Sequence, residues 1–241
     1  MKSMICKGCS QEKKLVRAHI IPESFFRVLR ADEKTLKLIS NVEGVHTKKA
    51  PIGVYDKEIL CSECEDKFQS IDNYAAKVLI NNAAIEEIKQ RGPVIGYKIP
   101  DIDYELLKRF VVSLLWRASV SKHGFYGKVS LGPLEEQAKK LIWDESPGEK
   151  DEFSFVLAKF DDERTISKAM LDPHQERWFG RRYYRFYIGG FVLYVKADSQ
   201  VTPEEWAKFI PNDKNLLVVS RGKIEQSKEF PVLLSGFKTN T

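Results

Sequence analysis

Apolar and polar positions along the chain switch between helical and strand-like spacing, which predicts an α+β protein. Residues 15–21 and 53–60 are rich in apolar and β-branched side chains and read as two short strands. Pro22 ends the first and opens a short helix over residues 23–30. A long polar loop containing Asn41, Gly44 and His46 separates the two strands. From Cys61 onward Phe68, Ile71, Ala75, Val78 and Leu79 mark one apolar helical face, and the helical pattern persists to Gln90, where Arg91-Gly92-Pro93 breaks it.

Residues 94–100 read as a connector to a long apolar helix over 104–121, started by the cap-like Asp101-Ile102-Asp103 and closed by Gly124 and Gly127. Lys108, Arg109 and Arg117 interrupt that helix, so it predicts a central core helix and not a membrane span. A second amphipathic helix follows over 131–143. The last third reads as a strand over 153–160, a β-hairpin over 182–195 turning at Gly189-Gly190, and two strands over 215–219 and 230–234. Thr202-Pro203-Glu204-Glu205 reads as a capping box opening a short helix. Three segments are expected: a small ββα unit over 1–75, a helical region over 76–150, and a small α+β domain over 151–241 that binds substrate or a partner.

The net charge of +5 is compatible with a polyanionic partner without requiring one. No apolar run is long enough to span a bilayer, and the first residues lack a secretory signal, so a cytoplasmic protein is expected. What changes the picture is the cysteines. All four fall in two C-x-x-C pairs, Cys6/Cys9 and Cys61/Cys64, the spacing of one tetrahedral structural zinc site. In a reducing cytosol such pairs hold metal, not disulfides. Cys6-Lys7-Gly8-Cys9 reads as a knuckle in which Gly8 supplies backbone freedom for the turn. A ββα unit of this size needs its metal to fold.

Cys6-x-x-Cys9, then Arg17-Ala18-His19-Ile20-Ile21-Pro22, then Leu60-Cys61-x-x-Cys64-Glu65, in that order, resembles the HNH endonuclease superfamily of ββα-metal, or His-Me finger, nucleases. The resemblance is to its zinc-stabilised members related to phage endonuclease VII, and covers about the first 75 residues. It implies that His19 is the general base that deprotonates the water attacking a DNA phosphodiester. It also implies that Glu65, at the family's ligand position, helps hold a catalytic Mg2+ or Mn2+. Asp66 and Gln69 are helical neighbours of Glu65. Where the family usually has a ligand directly before the base, this chain has Ala18.

Arg17, Lys48, Lys49 and Lys57 flank the expected site and are candidates to hold phosphates, or form a solvated face. Arg181 and Arg182 belong to a second candidate cluster with Arg177, Tyr183, Tyr184 and Arg185. This cluster either binds phosphates and unpaired bases or is a hairpin with one aromatic core face and one solvated basic face. His46, His123 and His174 have no companions of ligand spacing. The expected activity is metal-dependent DNA cleavage, and analogy with such nucleases implies a role in defence against phage or mobile DNA. The competing expectation is a non-catalytic zinc module that binds nucleic acid or a protein partner; separately, the C-terminal domain is expected to be a docking unit for a protein partner.

Overall fold

The computed structural model describes residues 3–29, 37–39, 48–49, 53–82, 84–161, 170–212 and 214–238. The chain begins with β1 (Met4–Ile5) and β2 (Glu12–Lys13), an antiparallel pair whose turn carries Cys6 and Cys9. There follow β3 (Ala18–His19), α1 (Glu23–Leu29), β4 (Lys37–Ile39), β5 (Lys48–Lys49), β6 (Tyr55–Asp56), α2 (Ser62–Asp66) and α3 (Gln69–Leu79). β3 and β6 pair antiparallel, Ala18 opposite Asp56 and His19 opposite Tyr55. Both strands are shorter than the apolar runs that predict them. Leu15 bridges Cys61 while Ala18 faces Asp56, so the register slips and the regular ladder stops.

The helix expected from Cys61 to Gln90 is two helices broken at Lys67–Phe68, and it ends near Ile80. β7 (Glu86–Lys89) and β8 (Val94–Pro100) are strands where a helix end and a connector were expected. β8 pairs along its length with β14 (Asn215–Ser220). A Cβ on Gly96 would stand 2.8 Å from the Val218 carbonyl oxygen, a close approach that only glycine permits. Long-range pairing therefore decides this segment over its local pattern.

α4 (Tyr104–Val120) begins with Asp103 accepting the Leu106 N–H at 3.0 Å and buries Leu107, Phe110, Val111, Leu114 and Leu115. It is followed by α5 (Leu134–Trp143), β9 (Phe155–Lys159), β10 (Met170–Leu171), β11 (His174–Trp178), β12 (Arg181–Ile188), β13 (Phe191–Lys196), α6 (Glu204–Ala207), β14 and α7 (Phe230–Lys238). The main sheet has seven strands in the order β11-β12-β13-β9-β14-β8-β7, antiparallel except where β14 meets β9. A small sheet joins β4 and β5 to β10. The molecule is thus mixed α+β. The sheet draws β7 and β8 from the segment expected to be helical and five strands from 151–241, so it runs across the division placed near residue 150.

Two further expectations are corrected. Residues 230–234 are the start of helix α7, where Pro231 occupies the first turn that tolerates it, not a strand. Thr202 does not cap α6: its hydroxyl pairs with Ser154 Oγ at 2.8 Å, and Pro203 stands at the cap position. The β12–β13 hairpin turns at Gly189 and Gly190, with φ of 56° and 89°, as a two-residue hairpin requires. Every residue of β13 is buried, as are Tyr183–Ile188 of β12, so this part of the sheet is covered on both faces and has no solvated basic side.

Candidate metal centre and adjoining cleft

Two turns deliver the cysteines. The knuckle is closed by the Ser10 N–H bonding Cys6 O at 2.9 Å, with Ser10 left-handed at φ 58°. It is laid against the second pair by the Lys7 N–H to Ile59 O at 2.8 Å. Cys61 stands at the N-cap of α2, and Cys64 falls within it. The four sulfurs consequently lie within 4.8 Å of one another. A tetrahedral ion about 2.3 Å from each sulfur sets neighbouring sulfurs about 3.8 Å apart, so the cluster is a donor set able to hold a metal such as zinc. Its electrostatics fit a cation. Burial raises the Cys6 thiol, but N–H groups of Cys61, Cys9 and Gly8 outweigh it and bring the pKa to about 7. Burial pushes the Cys61 and Cys64 thiols up. Gly8 is required for a reason other than turn freedom. A Cβ there would lie 2.7 Å from Trp143 and 2.8 Å from Cys64 Sγ.

Beside this cluster, β3 presents His19 to a cleft of about 430 Å³ whose walls include Glu65, Asp66, Gln69, Asp72 and Asn73. The backbone N–H of His19 donates to Glu65 Oε1 at 3.1 Å, tying the strand to α2. Glu65 Oε2 is buried and accepts no hydrogen bond among the described residues. Burial raises the Glu65 carboxyl above its ordinary range, with Arg117 and the His19 N–H opposing. Ala18 is fully buried. Neighbours on a strand face opposite ways, so position 18 offers the cleft nothing.

Arg17, His19 and Lys57 gather around one ring. The Arg17 guanidinium lies 5.2 Å and the Lys57 ammonium 5.9 Å from the Tyr55 centroid, and His19 meets that ring edge-on at 6.1 Å. Arg181 and Arg182 are elsewhere. The Gly189 turn of their hairpin packs on Phe25 of α1, whereas Arg182 lies seven residues back along β12, about 23 Å at strand rise. Arg182 is engaged with Ala197 O and Asp198, and Arg181 with Val201 O. Arg185 is buried between Glu176 at 2.9 Å and Glu229 at 3.0 Å, and also bonds His174. His123 accepts the Phe125 N–H at 3.2 Å and so caps a short turn. His46 lies outside the described residues, and Lys48 and Lys49 are described only as strand β5.

Sequence reasoning misses the support behind the cleft. Arg117 is fully buried in α4, donates to His19 O at 2.8 Å, and grips Asp72 with bonds of 2.7 and 3.0 Å. Burial raises the Asp72 carboxyl, and the guanidinium opposes that. An arginine between Leu114, Leu115, Trp116 and Ala118 demands a buried acidic partner, and that was the available signal. Opposite, Asp56 accepts from Ser121 Oγ at 2.7 Å and from the N–H groups of Glu58 and Lys122, pinning β6 to the end of α4. No helix among the described residues is long and apolar enough to cross a membrane. Comparison of the chain with family models, curated proteins and solved structures gives no match.

Proposed function

We propose that the chain is a metal-dependent endonuclease of the HNH type that hydrolyses DNA phosphodiester bonds, with β3, β6 and α2 forming its ββα finger. The observation that supports this most is the junction of His19 with Glu65, an imidazole and a buried carboxylate on one cleft beside a four-cysteine cluster. In this reading a zinc ion in the cysteines is structural and fixes the two turns that carry β3 and α2. Glu65 Oε2 is the acceptor available to a Mg2+ or Mn2+ ion, which when bound supplies charge for the leaving oxygen and the developing phosphorane. The His19 imidazole takes the proton from the attacking water. Arg17 and Lys57, both near the Tyr55 ring, hold the flanking phosphates. Arg117 and Asp72 keep the His19 backbone in place.

Plasmid nicking by purified protein across a series of magnesium, manganese and EDTA conditions tests the reading. Cleavage that needs the added ion, at unchanged zinc content, is the expected result. Cleavage indifferent to EDTA would contradict it. The second reading, a non-catalytic zinc module that binds DNA or a protein partner, draws on the burial of Ala18, which leaves Glu65 as the main protein ligand. Binding without ion-dependent cleavage is its signature.

A further inference from the structure

We propose that the far end of the main sheet carries a pocket for one unpaired nucleobase of single-stranded nucleic acid. The proposal rests on the nucleic-acid reading above but concerns a different site. β11 and β12 are joined through Phe179 and Gly180, at φ 48° and 73°. A bulky residue is disfavoured in the left-handed region, so the turn holds its aromatic side chain outward at a conformational cost. Phe179 is 55% exposed and its neighbour Trp178 is 40% exposed.

Trp178 is also one wall of a cavity of about 220 Å³ shared with Tyr194, Trp206, Phe209 and Arg221. Three rings meet at steep angles: Trp178 and Trp206 with centroids 5.6 Å apart at 58°, Tyr194 and Trp206 5.5 Å apart at 85°, Trp178 and Tyr194 6.2 Å apart at 77°. They form a box instead of a closed stack. Trp178 is held in place, because its indole N–H donates to Glu176 Oε2 at 2.9 Å while its face stays exposed. The volume falls below the roughly 300–1,000 Å³ of sites for larger ligands and suits a single ring system.

Charge decides which ring. A guanidinium, Arg221, lines the cavity, which disfavours the ammonium ligands that aromatic boxes otherwise take. The nearby carboxylates Glu176 and Glu229 are neutralised by Arg185 and Arg221. Arg181 stands directly across the ladder from Trp178, on the same face. Lys208 lies over Phe209 at 5.1 Å. Aromatic faces inside and cations at the rim are what a base with its phosphates needs, and a paired base in a duplex cannot enter.

The experiment uses the full zinc-loaded chain with no added magnesium or manganese, so that nothing is cut, with a labelled oligothymidylate of about ten nucleotides and a duplex of the same length. Tryptophan quenching and anisotropy are read together, and duplex nicking with added metal is measured in parallel. Single-strand binding with quenching is expected, weakened about tenfold by Trp178→Ala at unchanged melting temperature and restored in large part by Trp178→Phe. Equal oligonucleotide affinity of wild type and Trp178→Ala, or binding without quenching, would overturn the pocket. Absence of single-strand binding with nicking intact would overturn the pocket alone, whereas Trp178-dependent binding without nicking would leave the pocket standing and remove the nuclease.

Discussion

Under the proposed function, Glu65 is the residue in which stability and activity pull apart. Its carboxyl is buried with one oxygen unpartnered, and burial raises its pKa above the ordinary 4.5. A raised carboxyl means that the folded chain holds a proton at a pH where the unfolded chain has lost it. Stability is therefore highest below the ordinary value and falls as pH rises toward the raised one. Glu65→Gln keeps an acceptor for the His19 N–H and removes the buried charge. It is expected to raise the melting temperature of the metal-free protein at neutral pH while reducing ion-dependent cleavage by at least tenfold. Thermal melts and nicking rates of the one variant check both halves. Gly8 gives a second residue-level expectation. Gly8→Ala drives a methyl group into Trp143 and Cys64 Sγ, and should speed zinc loss to a chelator without touching any ligand.

The elements differ in how far their sequence exposes them. The cysteine spacing is legible because two identical tight turns have one common use, and the four sulfurs converge within 4.8 Å. α4 and the Gly189-Gly190 hairpin are legible because a long apolar run and a paired glycine turn are local signals. β7 and β8 are not, because β8 pairs with β14, more than a hundred residues away in the chain, and β7 adds to the sheet only through β8. α7 is misread as a strand because five apolar residues fit either period and only Pro231 argues otherwise. The support of the cleft is hidden for the same reason: Asp72 looks like ordinary helix surface until Arg117, on another helix, is placed against it.

α4 itself yields two predictions. Arg117→Leu leaves Asp72 buried and unpaired and releases His19 O, and should cost about 3–5 kcal/mol in chemical denaturation. Lys108 is fully buried one face away, bonded to Glu152 O, and burial lowers its pKa from 10.5 to about 7. The unfolded chain keeps that proton up to 10.5 and the folded chain does not, so stability contributed by this group rises as pH climbs from about 7 toward 10.5. Lys108→Met should stabilise the protein at pH 7 and flatten that rise. Denaturant midpoints across this range, for wild type and variant, decide it.

At the scale of the molecule, the cysteine cluster is not an appended finger. Trp143 of α5 packs on Gly8 and reaches Trp116 of α4 at 5.3 Å and Phe68 at 6.0 Å, so the metal centre and the central helix share one core. Among the described residues, one connected cluster of buried side chains includes both Cys6 and Leu233. Removal of metal by a chelator should therefore lower the melting temperature of the whole chain in a single transition. A separate low-temperature transition confined to the first 80 or so residues would show that the zinc unit folds on its own.

In the proposed function, His19 removes the proton from the attacking water. The most direct test of this step is the single-turnover cleavage rate of wild type against His19→Ala, both with zinc content and melting temperature matched and magnesium or manganese saturating. The account predicts a loss of about 10²–10⁴-fold in the variant. Equal rates would contradict it.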